Sequence, residues 1–134
     1  MAGYSGTPLQ KKLGLKPGTR AAFIKEPTGY RKTLGALPAG LRVLARPGKD
    51  MDFVQLFCPS MKDLRARLST AKRSLARDGT LWVSWPKKSS GMQSDLGEGD
   101  VRKAGLKLGL VDVKVCAVDE TWSGLKFVYR IKDR

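Results

Sequence analysis

Apolar residues recur at different spacings in successive segments of the chain, and Gly or Pro residues separate these segments. Apolar residues three and four positions apart predict helices, whereas short continuous or alternating apolar runs predict strands. The clearest helix runs from Met61 to about Arg77, with an apolar face formed by Leu64, Leu68, Ala71 and Leu75. Ser60 and Asp63 resemble a capping box at its start, and Gly79 is typical of a C-terminal stop.

The other segments alternate between the two element types. The predicted strands are Arg20–Lys25, Leu41–Ala45, Asp52–Cys58, Thr80–Trp85, Val111–Val118 and Trp122–Ile131. The predicted helices are a short one after Thr7 and Pro8 that ends at Gly14, a brief one over Tyr30–Leu37, and one from Asp95 to Gly109. Strands interleaved with helices form a parallel sheet that is covered on both faces. The predicted fold class is therefore α/β: a single doubly wound, mainly parallel Rossmann-like sheet with a C-terminal β-hairpin.

The length of 134 residues fits one domain, with residues 1–18 as an N-terminal helix and turn and residues 19–134 as the α/β core. No apolar run reaches the roughly 18–20 residues of a membrane helix, and no signal-peptide pattern follows Met1. We therefore expect a cytoplasmic protein without a membrane partner. Cys58 and Cys116 lie in apolar runs and are expected to be buried thiols. The oligomeric state stays open.

The charge is strongly positive: 26 Lys and Arg face 12 Asp and Glu, which gives a formal net charge of +14. A basic surface attracts polyanions through the release of counterions, so nucleic acid or another polyanion is the expected partner. A merely solvated surface is the alternative. The chain has no histidine, which excludes Ser-His-Asp and Cys-His catalysis and every histidine metal site. Two cysteines alone cannot hold a metal cluster, so we expect no metal.

Ligands of open α/β sheets bind beyond the carboxyl ends of the parallel strands. The residues predicted to lie there are Thr28 and Gly29, Arg46, Ser60, the loop Lys87, Lys88, Ser89, Ser90 and Gly91, and finally Glu120 and Trp122 at the start of the last strand. The 87–91 loop offers two ammonium groups, two hydroxyls and a glycine, which suit an anion. Alternatively, Lys87 or Lys88 pairs with Asp119 or Glu120 and only fastens the hairpin.

Three tryptophans could stack on nucleic-acid bases or pack in the core. Trp82 and Trp85 are three positions apart in a predicted strand, so they face opposite sides of the sheet. At most one of them could then reach any ligand. Core packing is therefore the prediction for both and for Trp122.

Three motifs carry a resemblance that spans nearly the whole chain. YSGTPL at 4–9, WPKKSSG at 85–91 and VDETWSGLK at 118–126 resemble a family of small bacterial proteins that is described only as a domain of unknown function. That resemblance implies no activity, substrate or catalytic residue.

A looser resemblance is to class I S-adenosylmethionine (SAM) methyltransferases, through DGTLWVS at 78–84, GLVDV at 109–113 and the terminal hairpin. It implies a truncated methyltransferase-like topology, one βα unit short, with the last strand inserted beside the fourth, and SAM as the cofactor. The binding motifs differ, however. Only Gly29 stands where the family has a Gly-x-Gly turn, and Arg46 stands where an acid binds the ribose. Arg46 suits a phosphate instead, so no cofactor is expected.

Three functions remain open at this point. The basic surplus and Arg46 favour a non-enzymatic binding module for an anionic partner, either nucleic acid or a nucleotide. The order of the elements favours a divergent SAM-dependent methyltransferase. A protein–protein interaction domain is the third alternative. The first is our prediction.

Overall fold

The computed structural model describes residues 8–134. The strands are β1 (Arg20–Ile24), β2 (Arg42–Val43), β3 (Met51–Phe57), β4 (Leu75–Pro86), β5 (Leu110–Ala117) and β6 (Trp122–Tyr129). The helices are α1 (Leu9–Leu13), α2 (Tyr30–Leu34), α3 (Met61–Ser74) and α4 (Glu98–Lys107), with 3-10 turns at Lys88–Ser90 and Ile131–Asp133. The predicted α/β fold class is therefore confirmed. Pro8 is the residue before α1, whereas Thr7, the predicted cap, lies outside the described residues.

The six strands form one sheet in the order β2-β1-β3-β4-β6-β5. Strands β2, β1, β3 and β4 run parallel to one another, and β6 lies antiparallel between β4 and β5. The last strand thus inserts beside the fourth, as the methyltransferase resemblance implies. Because parallel strands end on the same side, the loops after β1, β2, β3 and β4 share one edge of the sheet, which we call the carboxyl rim.

Each face of the sheet carries its own apolar core. On one face, the apolar stripes of α3 and α4, including Leu64, Leu68 and Val101, pack against Val83 and Trp85 of the sheet. On the other face, α1 and α2 pack against an aromatic cluster that contains Phe53, Phe57, Trp82 and Trp122. The alternation of side chains along β4 places Trp82 and Trp85 on opposite faces, and all three tryptophans are buried. Core packing is thus confirmed for them.

Tertiary contacts move two of the predicted helix boundaries. Helix α3 ends at Ser74 because Leu75 already pairs with Met51 in the ladder between β3 and β4. Gly79 therefore lies within β4 and does not stop the helix; a Cβ atom there would come within 2.6 Å of the Met51 carbonyl oxygen. Helix α4 begins at Glu98 and not at Asp95, because the Asp95 carboxylate accepts a hydrogen bond from Met61 N (2.8 Å) and so caps α3.

Three smaller differences also reflect local packing. Helix α2 ends at Leu34 and β2 has only two residues, so both are shorter than predicted. Cys116 is only half-buried because it lies on β5, which is an edge strand of the sheet, whereas Cys58 is fully buried. Both cysteines are free thiols.

Candidate functional site

Distant segments of the chain meet at the carboxyl rim. Tyr30, the first residue of α2, places its ring 4.8 Å from the ring of Phe57 at the end of β3. Phe57 in turn lies 5.2 Å from the ring of Trp122 at the start of β6. The backbone N–H of Lys87 donates to the carbonyl of Thr121 (2.8 Å). The rim therefore brings together the loops after β1 and β4 and the hairpin turn.

A buried polar chain lies below this rim. The Tyr30 hydroxyl donates to Gln55 Oε1 (2.5 Å), and Gln55 Nε2 donates to Ser84 Oγ (3.1 Å). Burial raises the pKa of the Tyr30 phenol far above its ordinary value, so the phenol stays protonated and remains a donor. Burial likewise raises the pKa of the Cys58 thiol to about 12. The chain of hydrogen bonds joins α2 to β3 and β4, and burial favours the neutral forms of both the Tyr30 phenol and the Cys58 thiol.

The 87–91 loop uses part of its predicted anion-binding equipment for its own structure. Ser90 Oγ donates to the Lys87 carbonyl (2.6 Å) and accepts from Met92 N (3.1 Å). Lys88, Ser89 and Gly91 are exposed. Lys87 and Lys88 line a cavity of about 700 Å³ together with α4, which contributes Glu98, Asp100 and Lys103. The acidic neighbours reduce the attraction of this cavity for an anion.

The other predicted residues are spread along the rim. Thr28 and Gly29 are exposed before α2, Arg46 is exposed after β2, and Glu120 is exposed in the hairpin turn, whereas Trp122 is buried in the aromatic cluster. None of Thr28, Gly29, Arg46 and Ser60 lines the cavity beside Lys87 and Lys88. The fold brings them to one edge but not into one cavity.

The predicted anion site at the start of α3 is filled by the protein's own side chains. Ser60 Oγ accepts a hydrogen bond from Asp63 N (3.4 Å) and donates to Asp63 Oδ2 (2.7 Å). Asp95 occupies the next backbone donor, Met61 N. Helix α3 is therefore capped from within, and a carboxylate already stands where an anion would bind.

A group of lysines that sequence reasoning missed lies on the α1 side of the hairpin. Lys114 of β5 and Lys126 of β6 are directly opposite each other across the two strands. Partial burial lowers the pKa of Lys126, and the charges of Lys114 and Lys16 lower it further. Burial raises the pKa of the nearby Cys116 thiol, while Lys12, Lys114 and Lys87 act in the opposite direction. We call Lys12, Lys16, Lys114 and Lys126 the lysine patch.

The hairpin register was the signal that could have revealed half of this patch. Counting outward from the predicted turn at Asp119–Thr121 places Lys114 and Lys126 opposite each other, because Ala117 pairs with Ser123 and the register continues from there. No local pattern could have added Lys12 and Lys16, which reach the hairpin only because α1 docks there. The Trp82 indole N–H, which donates to the Leu13 carbonyl (2.9 Å), fastens the end of α1 to the sheet.

Replacing Lys114 with glutamine is expected to raise the pKa of Lys126 toward its ordinary 10.5, because one of the two neighbouring cations is removed. Burial, the larger cause, persists, so the rise is partial. The folded protein disfavours the charged form of Lys126, which lowers the stability of the fold. This loss of stability is fully present below the pKa of Lys126 in the folded protein. It disappears as the pH rises to the ordinary pKa of 10.5, where the unfolded chain also loses the proton. NMR titration of the lysine side-chain resonances measures the shift, and an unchanged Lys126 pKa would show that burial alone sets it.

Aromatic stacking platforms are missing from the described surface. Every Trp, Tyr and Phe side chain within residues 8–134 is buried. Binding of unstacked bases ordinarily uses exposed aromatic rings. An interface built from residues 8–134 would therefore contact nucleic acid through charge.

Residues 8–134 contain neither a cluster of metal ligands nor a membrane-spanning helix. Across residues 8–134, no three His, Cys, Asp or Glu side chains are grouped so that they could hold a metal ion. None of the helices between Leu9 and the C-terminal Arg134 is both long and apolar enough to cross a membrane.

Solved structures of methyltransferases share this fold. DhpI in its SAH complex superposes with a TM-score of 0.63 at 9% identity, over 92% of this chain and 83% of that chain. A putative type 11 methyltransferase from Sulfolobus solfataricus gives a TM-score of 0.60 at 15% identity, over 91% and 89%. The tRNA methyltransferase TrmK from B. subtilis gives 0.55 at 11% identity, over 95% and 67%. At these identities the likeness establishes the fold alone.

DhpI was solved with SAH, and the methyltransferase resemblance implies SAM as a cofactor, but two rim loops of this chain depart from the motifs that the resemblance implies. The loop after β1 has one glycine, Gly29, whose positive φ of 84° favours glycine at this position. After β2, Arg46 stands where a carboxylate would accept the ribose hydroxyls. The only acid between β2 and β3 is Asp50, which lies next to the opposite end of β3. No chemical step through SAM follows from this geometry.

Sequence comparison identifies the family. No curated protein matches the chain in sequence. The family model described as "Protein of unknown function (DUF3052)" matches residues 49–131, from the loop before β3 to the last turn after β6. That match covers more than half of the chain, including the 85–91 and 118–126 motifs. The chain therefore belongs to the DUF3052 family.

Proposed function

We propose that this protein is a non-enzymatic binding module for nucleic acid and that the lysine patch holds the phosphate backbone. One observation carries the proposal: Lys114 and Lys126 stand directly opposite each other on neighbouring strands. Like charges in such positions destabilise a hairpin by roughly 0.2–1 kcal/mol. A polyanion between them would remove this repulsion.

The rest of the patch enlarges the same surface. Lys12 and Lys16 come from the end of α1 and the loop that follows it, so two separate parts of the chain contribute cations. A net charge of +14 adds a long-range attraction for phosphates. Because the proposed contacts run from lysines to phosphates, the proposed binding is independent of base sequence.

The test is fluorescence anisotropy with a labelled DNA duplex over a series of salt concentrations. For Lys114→Gln/Lys126→Gln, we expect weaker binding and a salt slope smaller by about 2, since each phosphate contact contributes about 0.9. Thermal unfolding of the free variant should show a gain of a few tenths to about 1 kcal/mol, because the repulsion is gone. Loss of binding together with a gain in stability is the expected signature.

The matched control is Lys62→Gln/Arg73→Gln, which removes the same charge from exposed positions of α3 on the opposite face. It should keep the wild-type salt slope within about half a unit. If both variants lose DNA binding equally, net charge alone accounts for the effect, and the lysine patch is not the interface. Wild-type protein that does not bind the duplex at low salt would end the proposal.

The loop at the carboxyl rim is compared in the same assay. Lys87→Ala/Lys88→Ala removes the two lysines that the loop contributes to the 700 Å³ cavity and leaves Lys103 of α4 in its lining. If the patch is the interface, this variant binds more tightly than the Lys114→Gln/Lys126→Gln variant. The opposite order would move the interface to the rim.

A methyltransferase is the second candidate, and the shared fold with SAH-bound structures favours it. Without histidine, a lysine or a carboxylate would have to move protons in such an enzyme. Calorimetric titration with SAM separates the two candidates. A saturable heat of SAM binding would overturn the proposed non-enzymatic function and favour a methyltransferase. Binding of the DNA duplex without binding of SAM would support the nucleic-acid-binding module.

A further inference from the structure

A groove of about 600 Å³ runs between α3 and α4, on the face of the sheet opposite the lysine patch. Its floor is apolar: Met61, Ala104 and Leu108 are half-buried there, and Leu64 and Leu68 are almost fully buried at its base. On each helix, the lining positions recur at intervals of three and four residues, so each helix contributes a single stripe to the groove. The floor is thus an apolar strip, and each of the two helices forms one wall beside it.

Both walls of the groove carry exposed cations. Arg65 stands on the α3 side, and Lys103 and Lys107, one helical turn apart, stand on the α4 side. One acid, Asp100, lies in the first turn of α4, where it accepts a hydrogen bond from Gly97 N (3.0 Å). The groove therefore combines an apolar floor with a basic rim on both sides.

Hydrogen bonds at both ends fix the separation of the two walls. Near the start of α3, Asp95 accepts from Met61 N (2.8 Å), which attaches the segment that leads into α4. At the other end, Lys72 Nζ of α3 donates to the Leu108 carbonyl at the end of α4 (2.6 Å). The groove is thus preformed, so binding would not have to order it.

We propose that this groove binds an amphipathic helix of a partner protein, with an apolar stripe flanked by acidic residues. Helix α4 has ten residues, which makes the groove about 15 Å long, enough for about three turns of a docked helix. The apolar stripe would lie on the leucine floor, and carboxylates on either side would face Arg65, Lys103 and Lys107. The docked helix would then cover α3 and α4 on this face of the sheet.

Charge complementarity selects this occupant over the alternatives. A second copy of the chain would bring another charge of +14 to a basic rim and be repelled. Nucleic acid would satisfy the rim but leave its phosphates over an apolar floor, which offers them no hydrogen bonds. An acidic amphipathic helix satisfies the floor and the rim together.

The probe is a fluorescein-labelled, capped peptide of about 14 residues, with leucines at helical i, i+3, i+4 and i+7 spacing and glutamates elsewhere. Its anisotropy is titrated with the full chain at about 150 mM salt, where attraction over long distances is screened. A scrambled peptide of the same composition keeps the charge and loses the apolar stripe. We expect saturable binding of the patterned peptide and binding of the scrambled one that is at least about tenfold weaker.

Two protein variants locate the interface. Arg65→Glu/Lys107→Glu reverses the rim, and Ser69→Trp fills the groove from an exposed position without changing the charge. Each should weaken binding of the patterned peptide by about tenfold or more. The matched control, Lys62→Glu/Arg73→Glu, makes the same charge change on α3 outside the groove and should stay within about threefold of wild type. Circular dichroism of every variant checks that it is folded.

Three results would overturn the proposal. Equal binding of the two peptides would mean that net charge alone attracts them. Equal losses in the rim and control variants would place the contact elsewhere. In the third result, a DNA duplex displaces the bound peptide from the wild-type protein but not from the Lys114→Gln/Lys126→Gln variant. The groove would then be part of the nucleic-acid surface. Failure of duplex binding in the separate anisotropy assay would leave the groove proposal standing, because the two sites lie on opposite faces.

Discussion

Replacing Gln55 with leucine is expected to destabilise the protein by about 2–4 kcal/mol. Gln55 is fully buried in the centre of β3, where it accepts from the Tyr30 hydroxyl and donates to Ser84 Oγ. Leucine has a similar size but offers neither partner, so two buried hydroxyls lose their hydrogen bonds. Each unsatisfied group costs about 1–3 kcal/mol. Urea unfolding followed by tryptophan fluorescence measures the change.

The control for this prediction removes the whole polar chain. In the triple variant Tyr30→Phe/Gln55→Leu/Ser84→Ala, no hydroxyl is left without a partner, and most of the lost stability should return. If the single and triple variants are equally unstable, packing and not hydrogen bonding accounts for the loss. A neutral Gln55→Leu would show that water reaches the two hydroxyls.

The result bears on the carboxyl rim as well as on stability. Tyr30 opens α2, and its hydrogen bond to Gln55 anchors the segment that follows the β1 loop. In Gln55→Leu, we therefore expect hydrogen exchange at the amides of residues 26–30 to speed up relative to the wild type. The increase should be larger there than at the amides of the hairpin. The polar chain thus anchors the end of the β1 loop, in which Thr28 and Gly29 were predicted to contact a ligand.

Replacing Gly105 with alanine is expected to destabilise the protein by about 1–3 kcal/mol. Gly105 is buried in α4, and a Cβ atom at this position would overlap Cε1 and Cζ of the Phe127 ring, which is itself fully buried. Neither the helix nor the ring can move without disturbing the core between α4 and the sheet. Thermal and urea unfolding measure the loss.

Gly99 of the same helix provides the matched control. A Cβ atom at Gly99 would meet nothing within 4 Å, so alanine there gains helix propensity without a clash. Gly99→Ala should be neutral or stabilising by up to about 1 kcal/mol. The two substitutions are chemically identical and should have opposite signs. Destabilisation by both, or by neither, would contradict the close approach of α4 to Phe127.

The prediction of element types succeeded where burial imposes a local period. The apolar stripe Leu64, Leu68 and Ala71 identified α3, and the alternating strands after Leu110 identified the hairpin. Boundaries failed where a distant partner decided them. Asp95 reads as a local helix start, yet its carboxylate caps α3, which lies 34 positions away. Gly79 reads as a helix stop, yet the ladder with β3 draws the preceding residues into β4.

For the candidate site residues, the position in the fold could be predicted, but the packing of the side chains could not. The rule that loops meet beyond the carboxyl ends of parallel strands placed Thr28, Lys87 and Trp122 at one edge, and the fold confirms that shared edge. The rule could not show that Ser90 is used within its own loop or that Trp122 is buried. Both facts depend on side-chain packing, which the order of the elements does not specify.

By itself, the sequence determined the charge of +14, the exclusion of histidine chemistry and the alternation of strands and helices, because composition and apolar period are local properties. Only the tertiary structure decided which cations become neighbours. Lys12 lies near Cys116 of the hairpin and Lys16 lies near Lys126, about a hundred positions away, because α1 docks on the sheet through Trp82 and Leu13. Likewise, α3 and α4 form one groove because they pack side by side on the same face. Such long-range neighbours arise from the packing of whole elements, and no local pattern encodes that packing.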